Sequence, residues 1–227
     1  MRAVVYTSKG PAAEVLKVVD KPMPEPGPGE VRVRLVTSGV NPSDVKSRRA
    51  RPVTDPLIVP HSDGAGVIDQ VGEGVDRQRL GQRVWTWNAQ WQRPMGTAAE
   101  YVVLPQVQAV RLPEQTDFAA GACFGIPALT AIQAVTWAER LAGDLRGQSV
   151  LVTGASSAVG HYITQLVTLA GGRVIGTVGS EAKAAHARAA GMQEAIFYKT
   201  ESVPERVKAL TQGQGVSVII DMDFSST

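Results

Sequence analysis

Cysteine is nearly absent from this chain of 227 residues, which contains only Cys123. A single cysteine cannot form a disulfide within the chain. It also cannot build an all-cysteine structural zinc site, because such a site needs four thiolates. Low cysteine usage of this kind is typical of a reducing compartment, and we expect a cytoplasmic location.

Long apolar runs are missing as well. The longest ones fall far short of the roughly 20 residues that a membrane helix requires. The N-terminal segment alternates apolar and polar side chains and lacks the apolar core of about 7–15 residues that marks a signal peptide. We therefore expect neither a membrane span nor a signal peptide.

Neither sign of charge dominates the chain, since 23 Lys and Arg are balanced by 21 Asp and Glu, for a net charge of +2. This balance gives no electrostatic footprint for nucleic acid or for a membrane surface. The densest basic run, Lys46–Arg51, is interpreted as a solvated loop. We expect a small-molecule ligand, no nucleic acid and no membrane partner, and leave a homo-oligomer open.

The composition changes near residue 120, and we predict two domains, 1–120 and 121–227. The first is rich in Gly and Pro, with short β-like runs separated by turn signals. Many short strands of this kind predict a small, irregular β-barrel. The predicted strands are Arg2–Tyr6, Val31–Val36, Ala65–Val71, Arg83–Thr86 and Glu100–Leu104.

The second part alternates strands and helices, an order that predicts a parallel sheet with right-handed crossovers. It is preceded by predicted helical segments over Asp117–Arg140, broken around Gly125–Pro127. The predicted strands are Ser149–Thr153, Arg173–Val178, Ala195–Tyr198 and Val216–Met222, and the predicted helices are Ala158–Ala170, Glu181–Ala190 and Pro204–Leu210.

A loop of small residues, Val152–Gly160, joins the first of these strands to a helix. Its spacing is that of a dinucleotide-binding loop, but Ala155 and Ser157 stand where the G-x-G-x-x-G pattern has its first two glycines. A helix N-terminus after such a turn offers free N–H groups to a pyrophosphate. The alternative is a tight strand–helix turn without a ligand; the βαβ series that follows favours the dinucleotide.

The end of the second strand lacks an acidic residue. NAD-selective sites usually place Asp or Glu there, roughly 20 residues after the loop, to bind the ribose hydroxyls. Here the segment reads Thr177–Ser180, and the first acid, Glu181, falls in the first turn of the next helix. Ser180 and Lys183 are candidates for binding a 2′-phosphate; alternatively, Ser180 is a helix N-cap and Lys183 a solvated lysine.

Seven short segments carry a family resemblance. They are Gly39–Asp44, His61–Ile68, Val71–Val75, Gly81–Val84, Ala99–Tyr101, Gly125–Ala131 and Gly154–Gly160. In this order and at this spacing they resemble quinone oxidoreductases of the zeta-crystallin type, a zinc-free branch of the medium-chain dehydrogenase/reductase superfamily. The resemblance covers essentially all of residues 1–227.

The resemblance implies a GroES-like β-barrel domain followed by a Rossmann parallel-sheet domain, with the nicotinamide in the cleft between them. It implies NADPH as the cofactor. Ser180, Lys183 and Tyr198 match positions that surround the 2′-phosphate, and Gly179 lies beside them in sequence. The residues that match the pyrophosphate loop are Ser156, Ser157, Ala158, Val159 and Gly160.

Two further residues, Asn41 and Thr130, match positions close to the nicotinamide and the substrate, and they are the candidate catalytic residues. Each has a structural alternative. Asn41 followed by Pro42 is also typical of a turn, and Thr130 is also consistent with a helix residue that bonds its own backbone. The register with the other segments favours the catalytic interpretation.

No catalytic zinc is expected. Zinc-dependent relatives carry a Cys at the position of Asn41 and a His beside an acid at the position of Ser62–Asp63. His61 is one residue away, and on an extended segment that slip points the side chain to the other face. We interpret His61 as a turn or surface histidine. His161 and His186 fall on predicted helices, where a catalytic ligand is not expected.

Without a Lewis acid a simple ketone is a poor hydride acceptor, whereas a quinone or an α,β-unsaturated carbonyl is already electrophilic. We therefore predict NADPH-dependent hydride transfer to quinones or enones. Asn41, Thr130 or an ordered water would bond the developing oxyanion. The sequence shows no clear general acid, with Asp44 the one candidate, and Lys46 stands where several relatives have an aromatic residue in the pocket.

The chain ends at Thr227, just past the fourth predicted strand. A six-stranded sheet ordered 3-2-1-4-5-6 would then lack strands 5 and 6. We expect either a natural truncation or part of a longer product, with the Val216–Met222 strand as an exposed edge. The alternative function is accordingly a truncated, non-catalytic nucleotide-binding or assembly protein.

Overall fold

The computed structural model describes residues 1–222 and divides into two compact units, Met1–Ile126 and Pro127–Thr227. The division falls after residue 126 rather than after residue 120. Residues 121–126 pack with the first unit: a Cβ built on Gly121 would lie 3.1 Å from the Ala65 Cβ, and the Ile126 N–H donates to Asp63. The end of the chain that the sequence places beyond the fourth strand, residues 223–227, lies outside the described residues.

The first unit consists mainly of short antiparallel strands. All five strands predicted for it are present, with small differences at their ends. Its elements are β1 (Arg2–Val5), α1 (Ala12–Val15), β2 (Lys17–Asp20), β3 (Glu30–Gly39), α2 (Pro42–Ala50), β4 (Asp63–Val71), β5 (Arg83–Thr86), β6 (Tyr101–Pro105), β7 (Ala109–Arg111) and α3 (Phe118–Gly121).

Five of these strands form one sheet in the order β6-β3-β4-β5-β7, and β1 pairs with β2. The register between β3 and β4 shifts at two places, and such irregularities bend a sheet. Strands β2 and β7 were not predicted, because they are short and largely exposed and therefore lack an apolar alternation. The buried core is formed by Val31, Val33, Ile68, Val75, Val84, Val102 and Leu104.

Helix α2 occupies most of the basic run Lys46–Arg51, for which a solvated loop was predicted; that prediction is wrong. Pro42 stands in the first turn, and the Asp44 carboxylate accepts the Asn41 N–H at 2.7 Å, which together start a helix. Arg48 is buried, and its guanidinium donates to the Gly10 carbonyl oxygen. This helix was not predicted because its residues form almost no apolar face.

The second unit is a four-stranded parallel sheet with helices on both faces. A π-helical turn, Phe124–Ala128, precedes it. Its elements are α4 (Leu129–Ala142), β8 (Ser149–Val152), α5 (Ala158–Leu169), β9 (Arg173–Val178), α6 (Glu181–Ala189), β10 (Glu194–Phe197), α7 (Val203–Leu210) and β11 (Val218–Ile220).

The strand order is β10-β9-β8-β11, all parallel, which confirms the predicted 3-2-1-4 arrangement. Alternate residues of β8 point to opposite faces: Val150 and Val152 pack with Ile163 of α5, and Leu151 packs with Val207 of α7. Strand β11 is shorter than the predicted strand. In the part of the chain that the structure describes, no helix is long and apolar enough to cross a membrane.

Candidate functional site

The loop after β8 is fixed to the neighbouring strand β9. The Gly154 N–H donates to Thr177 Oγ1 at 2.9 Å, and the Ala155 N–H donates to the Thr177 carbonyl oxygen at 3.2 Å. Gly154 has a φ of 59°, which glycine adopts without strain. These bonds hold the loop at the carboxyl edge of the parallel sheet, where open α/β sheets bind their ligands.

Helix α5 begins very close to the backbone of this loop. A Cβ built on Gly160 would lie 2.3 Å from the Gly154 carbonyl oxygen, so only glycine fits there. Ser157 caps the helix, because its Oγ accepts the Gly160 N–H at 3.0 Å. The first turn contains no acid, so the N–H groups of residues 158–159 and the positive end of the helix dipole suit a phosphate group.

The end of β9 leads directly into the start of α6. Ser180 is the N-cap residue, and its Oγ accepts the Lys183 N–H at 3.4 Å. The Glu181 carboxylate accepts a bond from Arg188 Nη1 at 2.5 Å, so its charge is paired along the helix. The side chain of Lys183 is exposed. Strand β9 therefore does not end in an acidic residue. Glu181, the acid in the first turn of α6, is paired with Arg188.

Tyr198 follows β10, which pairs in parallel with β9. A Cβ built on Gly179 would lie 2.9 Å from Tyr198 Oη, so the phenol group lies against the backbone just before Ser180. About half of the Tyr198 side chain is exposed. The fold thus places Tyr198 Oη against Gly179, one residue before Ser180 and the start of the helix that carries Lys183. These three side chains carry donors of the kind that bind a phosphate.

The two candidate catalytic residues belong to different units. Thr130 is the second residue of α4 and has an exposed side chain. Asn41 immediately precedes α2 and is buried. The turn interpretation of Asn41 is replaced by a helix N-cap position, and its side chain takes part in a polar cluster of the first unit.

That cluster consists of Asn41, Asp44, Asp63 and the backbone of Ile126. Asn41 Nδ2 donates to Asp63 Oδ2 at 2.7 Å, and the Ile126 N–H donates to the same oxygen at 2.8 Å. Asp63 Oδ1 is buried without a hydrogen-bond partner among the described residues. A Cβ built on Gly125 would lie 2.0 Å from Oδ1, so the chain passes directly over this carboxylate.

Asp63 is completely buried, and this burial raises the pKa of its carboxyl group to about 6, against the smaller lowering effect of its two N–H donors. Burial likewise raises the pKa of Asp44. From the sequence, Asp63 was considered only as the neighbour of Ser62. The sequence feature that could have identified it is an acidic residue at the start of a strand, followed directly by the small residues Gly64, Ala65 and Gly66.

His61 precedes β4 and has a φ of 77°, in the left-handed region. Its Nδ1 is 2.9 Å from Ser38 Oγ, which is in turn 3.0 Å from Thr97 Oγ1. Burial lowers the pKa of His61, while the nearby Asp44 opposes that shift. The ring is half-buried rather than on the surface.

A catalytic zinc ion does not fit these residues. Within residues 1–222 no three His, Cys, Asp or Glu side chains form a group that could hold a metal ion. Asn41 turns an N–H donor toward Asp63, and a donor cannot serve as a ligand. Catalytic zinc sites use sulfur, imidazole and carboxylate ligands, and both carboxylates of this cluster already accept N–H bonds, Asp63 from Asn41 Nδ2 and Ile126 and Asp44 from the Asn41 backbone.

Comparison with known families finds two matches. Residues 27–114 match the alcohol dehydrogenase GroES-like domain, and residues 158–223 match the zinc-binding dehydrogenase family. The rat quinone oxidoreductase is 34% identical over 226 residues, and the 2-haloacrylate reductase of a Burkholderia species is 32% identical over 225 residues. These alignments cover 98% and 97% of this chain, which spans 66% of the length of each relative.

Solved structures agree with this result. An NAD-dependent alcohol dehydrogenase superposes with a TM-score of 0.88 at 35% identity, covering 99% of this chain and 72% of the other. A mycobacterial protein solved in complex with NADPH gives a TM-score of 0.79 at 29% identity, covering 96% of this chain and 66% of the other.

A GroES-like domain followed by a parallel sheet with a loop of the dinucleotide-binding type defines an alcohol dehydrogenase-like oxidoreductase fold. The chain belongs to the medium-chain dehydrogenase/reductase superfamily. Its curated relatives include quinone oxidoreductases of rat, human and Pseudomonas aeruginosa, in agreement with the resemblance seen in the sequence.

Proposed function

We propose that this chain transfers hydride from NADPH to a quinone or another α,β-unsaturated carbonyl without a catalytic zinc ion. The observation that carries the proposal is the group of Gly179, Ser180 and Tyr198 at the end of β9, at the start of the helix that bears Lys183. The printed names of the relatives, quinone oxidoreductase and 2-haloacrylate reductase, support the class of acceptor. The mycobacterial complex supports the cofactor.

The cofactor would supply the hydride, and the chain binds and orients it. The N–H groups at the start of α5 bind the pyrophosphate. Lys183 and the hydroxyls of Ser180 and Tyr198 bind the 2′-phosphate, and bonds of this charge-assisted kind are stronger than neutral ones. Glu181 does not repel the phosphate strongly, because Arg188 pairs with it.

Acceptor choice follows from the lack of a Lewis acid. A simple ketone needs its oxygen polarised by a cation, whereas a quinone or enone is already electrophilic. Holding such an acceptor in the right geometry can supply about 7–11 kcal/mol of barrier reduction. Asn41 and Thr130 are the proposed donors to the oxygen that gains charge, and solvent supplies the proton.

The cytoplasmic location and the homo-oligomeric state stay predictions.

Binding and turnover, measured separately, test the proposal on the 227-residue chain. NADPH binding is followed by quenching of tryptophan fluorescence, and turnover by NADPH oxidation with a panel of quinones and enones. We expect both. Binding without oxidation by any member of the panel, together with a stable oligomer, would favour the non-catalytic nucleotide-binding alternative. No binding at all would refute both functions.

Metal removal should leave the protein unchanged. Because Asn41 offers Asp63 a donor rather than a ligand, we expect no stoichiometric zinc after purification in metal-free buffer. We also expect the same rate of NADPH oxidation before and after treatment with a chelator. The measurement is elemental analysis together with a chelator titration of the activity. One equivalent of zinc that is lost along with activity contradicts this account of the polar cluster.

A further inference from the structure

Asp63 is a buried carboxylate for which the proposed reaction has no direct use. We propose that Asp63 is a positioning residue that sets the orientation of the Asn41 side-chain amide, an inference that rests on the proposed function of Asn41. Two short bonds support it: Asn41 Nδ2 to Asp63 Oδ2 at 2.7 Å and the Ile126 N–H to the same oxygen at 2.8 Å.

A side-chain amide has two chemically different ends of nearly equal shape. An ionised carboxylate can only accept hydrogen bonds, so it selects the NH₂ end of Asn41 and rejects the carbonyl end. The bond joins two buried side chains, where water does not compete with it. The second Nδ2 proton and Oδ1 of Asn41 are then held on the sides away from Asp63.

The backbone of Asn41 is fixed independently. Its N–H donates to Asp44 Oδ2 at 2.7 Å, which places it as the residue before α2. Asn41 is therefore held at its backbone by Asp44 and at its side chain by Asp63, and its side chain also bonds to Asp44. Donors held in advance of the reaction in this way stabilise developing charge most effectively, because they need no reorganisation.

The position of Asp63 is itself determined by its surroundings. It is the first residue of β4, and the segment that contains Gly125 passes directly over Oδ1, where any side chain would clash. The Ile126 N–H from the same segment holds Oδ2. The carboxylate therefore has a fixed place that does not depend on Asn41, as a positioning group requires.

The ionisation of Asp63 should change the NMR signal of the Asn41 side-chain amide that it binds. Its pKa is raised to about 6 by burial, so the acceptor loses its charge below that pH. Asp44 on α2 and His61 before β4 are the other titratable groups whose charges act within this cluster. A variant at position 63 separates their contributions from that of Asp63.

The first test is the ¹⁵N-resolved Asn41 side-chain amide signal, assigned by its loss in Asn41→Ala. We expect this signal to shift with a midpoint near pH 6 in the unmodified chain, to lose that shift in Asp63→Asn, and to keep it in Asp69→Asn. Asp69 is the matched control because it lies on the same strand and pairs with Arg32 outside the cluster. A signal that does not titrate, or that titrates equally in Asp63→Asn, overturns the proposal.

The second test is a kinetic cycle with the same variants. We expect Asn41→Ala to lower kcat by about 10²–10³-fold, as for the loss of one oxyanion donor. Asp63→Asn should lower kcat by up to about 100-fold, as expected for a misplaced group, with NADPH affinity unchanged. In the Asn41→Ala background the same change should have less than about a twofold effect. Equal losses in both backgrounds overturn the proposal.

The two tests separate the failure of this inference from the failure of the proposed function. If the unmodified chain does not oxidise NADPH, the proposed function fails, while the amide signal still decides whether Asp63 orients Asn41. If Asp63→Asn does not fold, the pH titration of the Asn41 amide in Asp44→Asn and in His61→Gln decides, because a shift near pH 6 that survives both changes belongs to Asp63.

Discussion

Replacing Lys183 by alanine is expected to weaken NADPH binding by about 10- to 150-fold and to leave NADH binding nearly unchanged. The reason is the loss of one charge-assisted bond to the 2′-phosphate, which costs roughly 1.5–3 kcal/mol. NADH has no 2′-phosphate and loses nothing comparable. Titration calorimetry with each cofactor, on the unmodified chain and the variant, measures the two affinities directly.

Lys208→Ala is the matched control for this experiment. Lys208 is an exposed lysine on a helix of the same unit, but that helix packs on the other face of the sheet from α5. Lys208→Ala should change neither the NADPH affinity nor the NADH affinity. Equal affinity for both cofactors in the unmodified chain, or an equal loss for both in Lys183→Ala, would show that the 2′-phosphate is bound elsewhere.

The stability of the chain should depend on the ionisation of Asp63. Its pKa is raised from 3.8 to about 6, so the folded chain holds this proton more tightly than the unfolded chain. The resulting stabilisation is fully present below pH 3.8 and is lost as the pH rises through about 6. Two pKa units correspond to about 3 kcal/mol, so the free energy of unfolding should fall by about that amount relative to Asp63→Asn.

Denaturant unfolding of the unmodified chain and of Asp63→Asn, at a series of pH values across this window, measures the difference. Asp63→Asn should gain stability relative to the unmodified chain as the pH rises toward neutrality. Asp69→Asn serves as the control and should show no such change over the same range. A constant difference between the unmodified chain and Asp63→Asn across the window contradicts the burial argument.

Local pattern was enough to predict the second unit. Strand β9 lies where it was predicted, at Arg173–Val178, because a short apolar run between glycine-containing turns is typical of a buried strand. The strand order 3-2-1-4 of a dinucleotide-binding sheet then places β10 beside β9, and this order brings Tyr198 to Gly179. Ser157 and Ser180 cap helices as their sequence positions suggest. These features depend on neighbours along the chain or in one βαβ repeat.

The polar cluster of the first unit could not be predicted in this way. Asn41 and Asp63 are separated by 22 residues, and Ile126 reaches Asp63 from 63 residues further on. No period or spacing predicts such bonds, which form when separate segments close around one buried carboxylate. Helix α2 was missed for a related reason: its buried face contains Asp44 and Arg48, whose stabilising contacts are hydrogen bonds rather than apolar packing.

The proposed activity of this chain is hydride transfer from NADPH to acceptors that need no metal. The most direct measurement compares NADPH oxidation by the 227-residue chain with a quinone, an enone and a simple ketone, all in the presence of a chelator. We expect oxidation with the quinone and the enone and none with the ketone. Oxidation with the ketone that the chelator abolishes, or no oxidation with any quinone or enone, would refute metal-free hydride transfer by this chain.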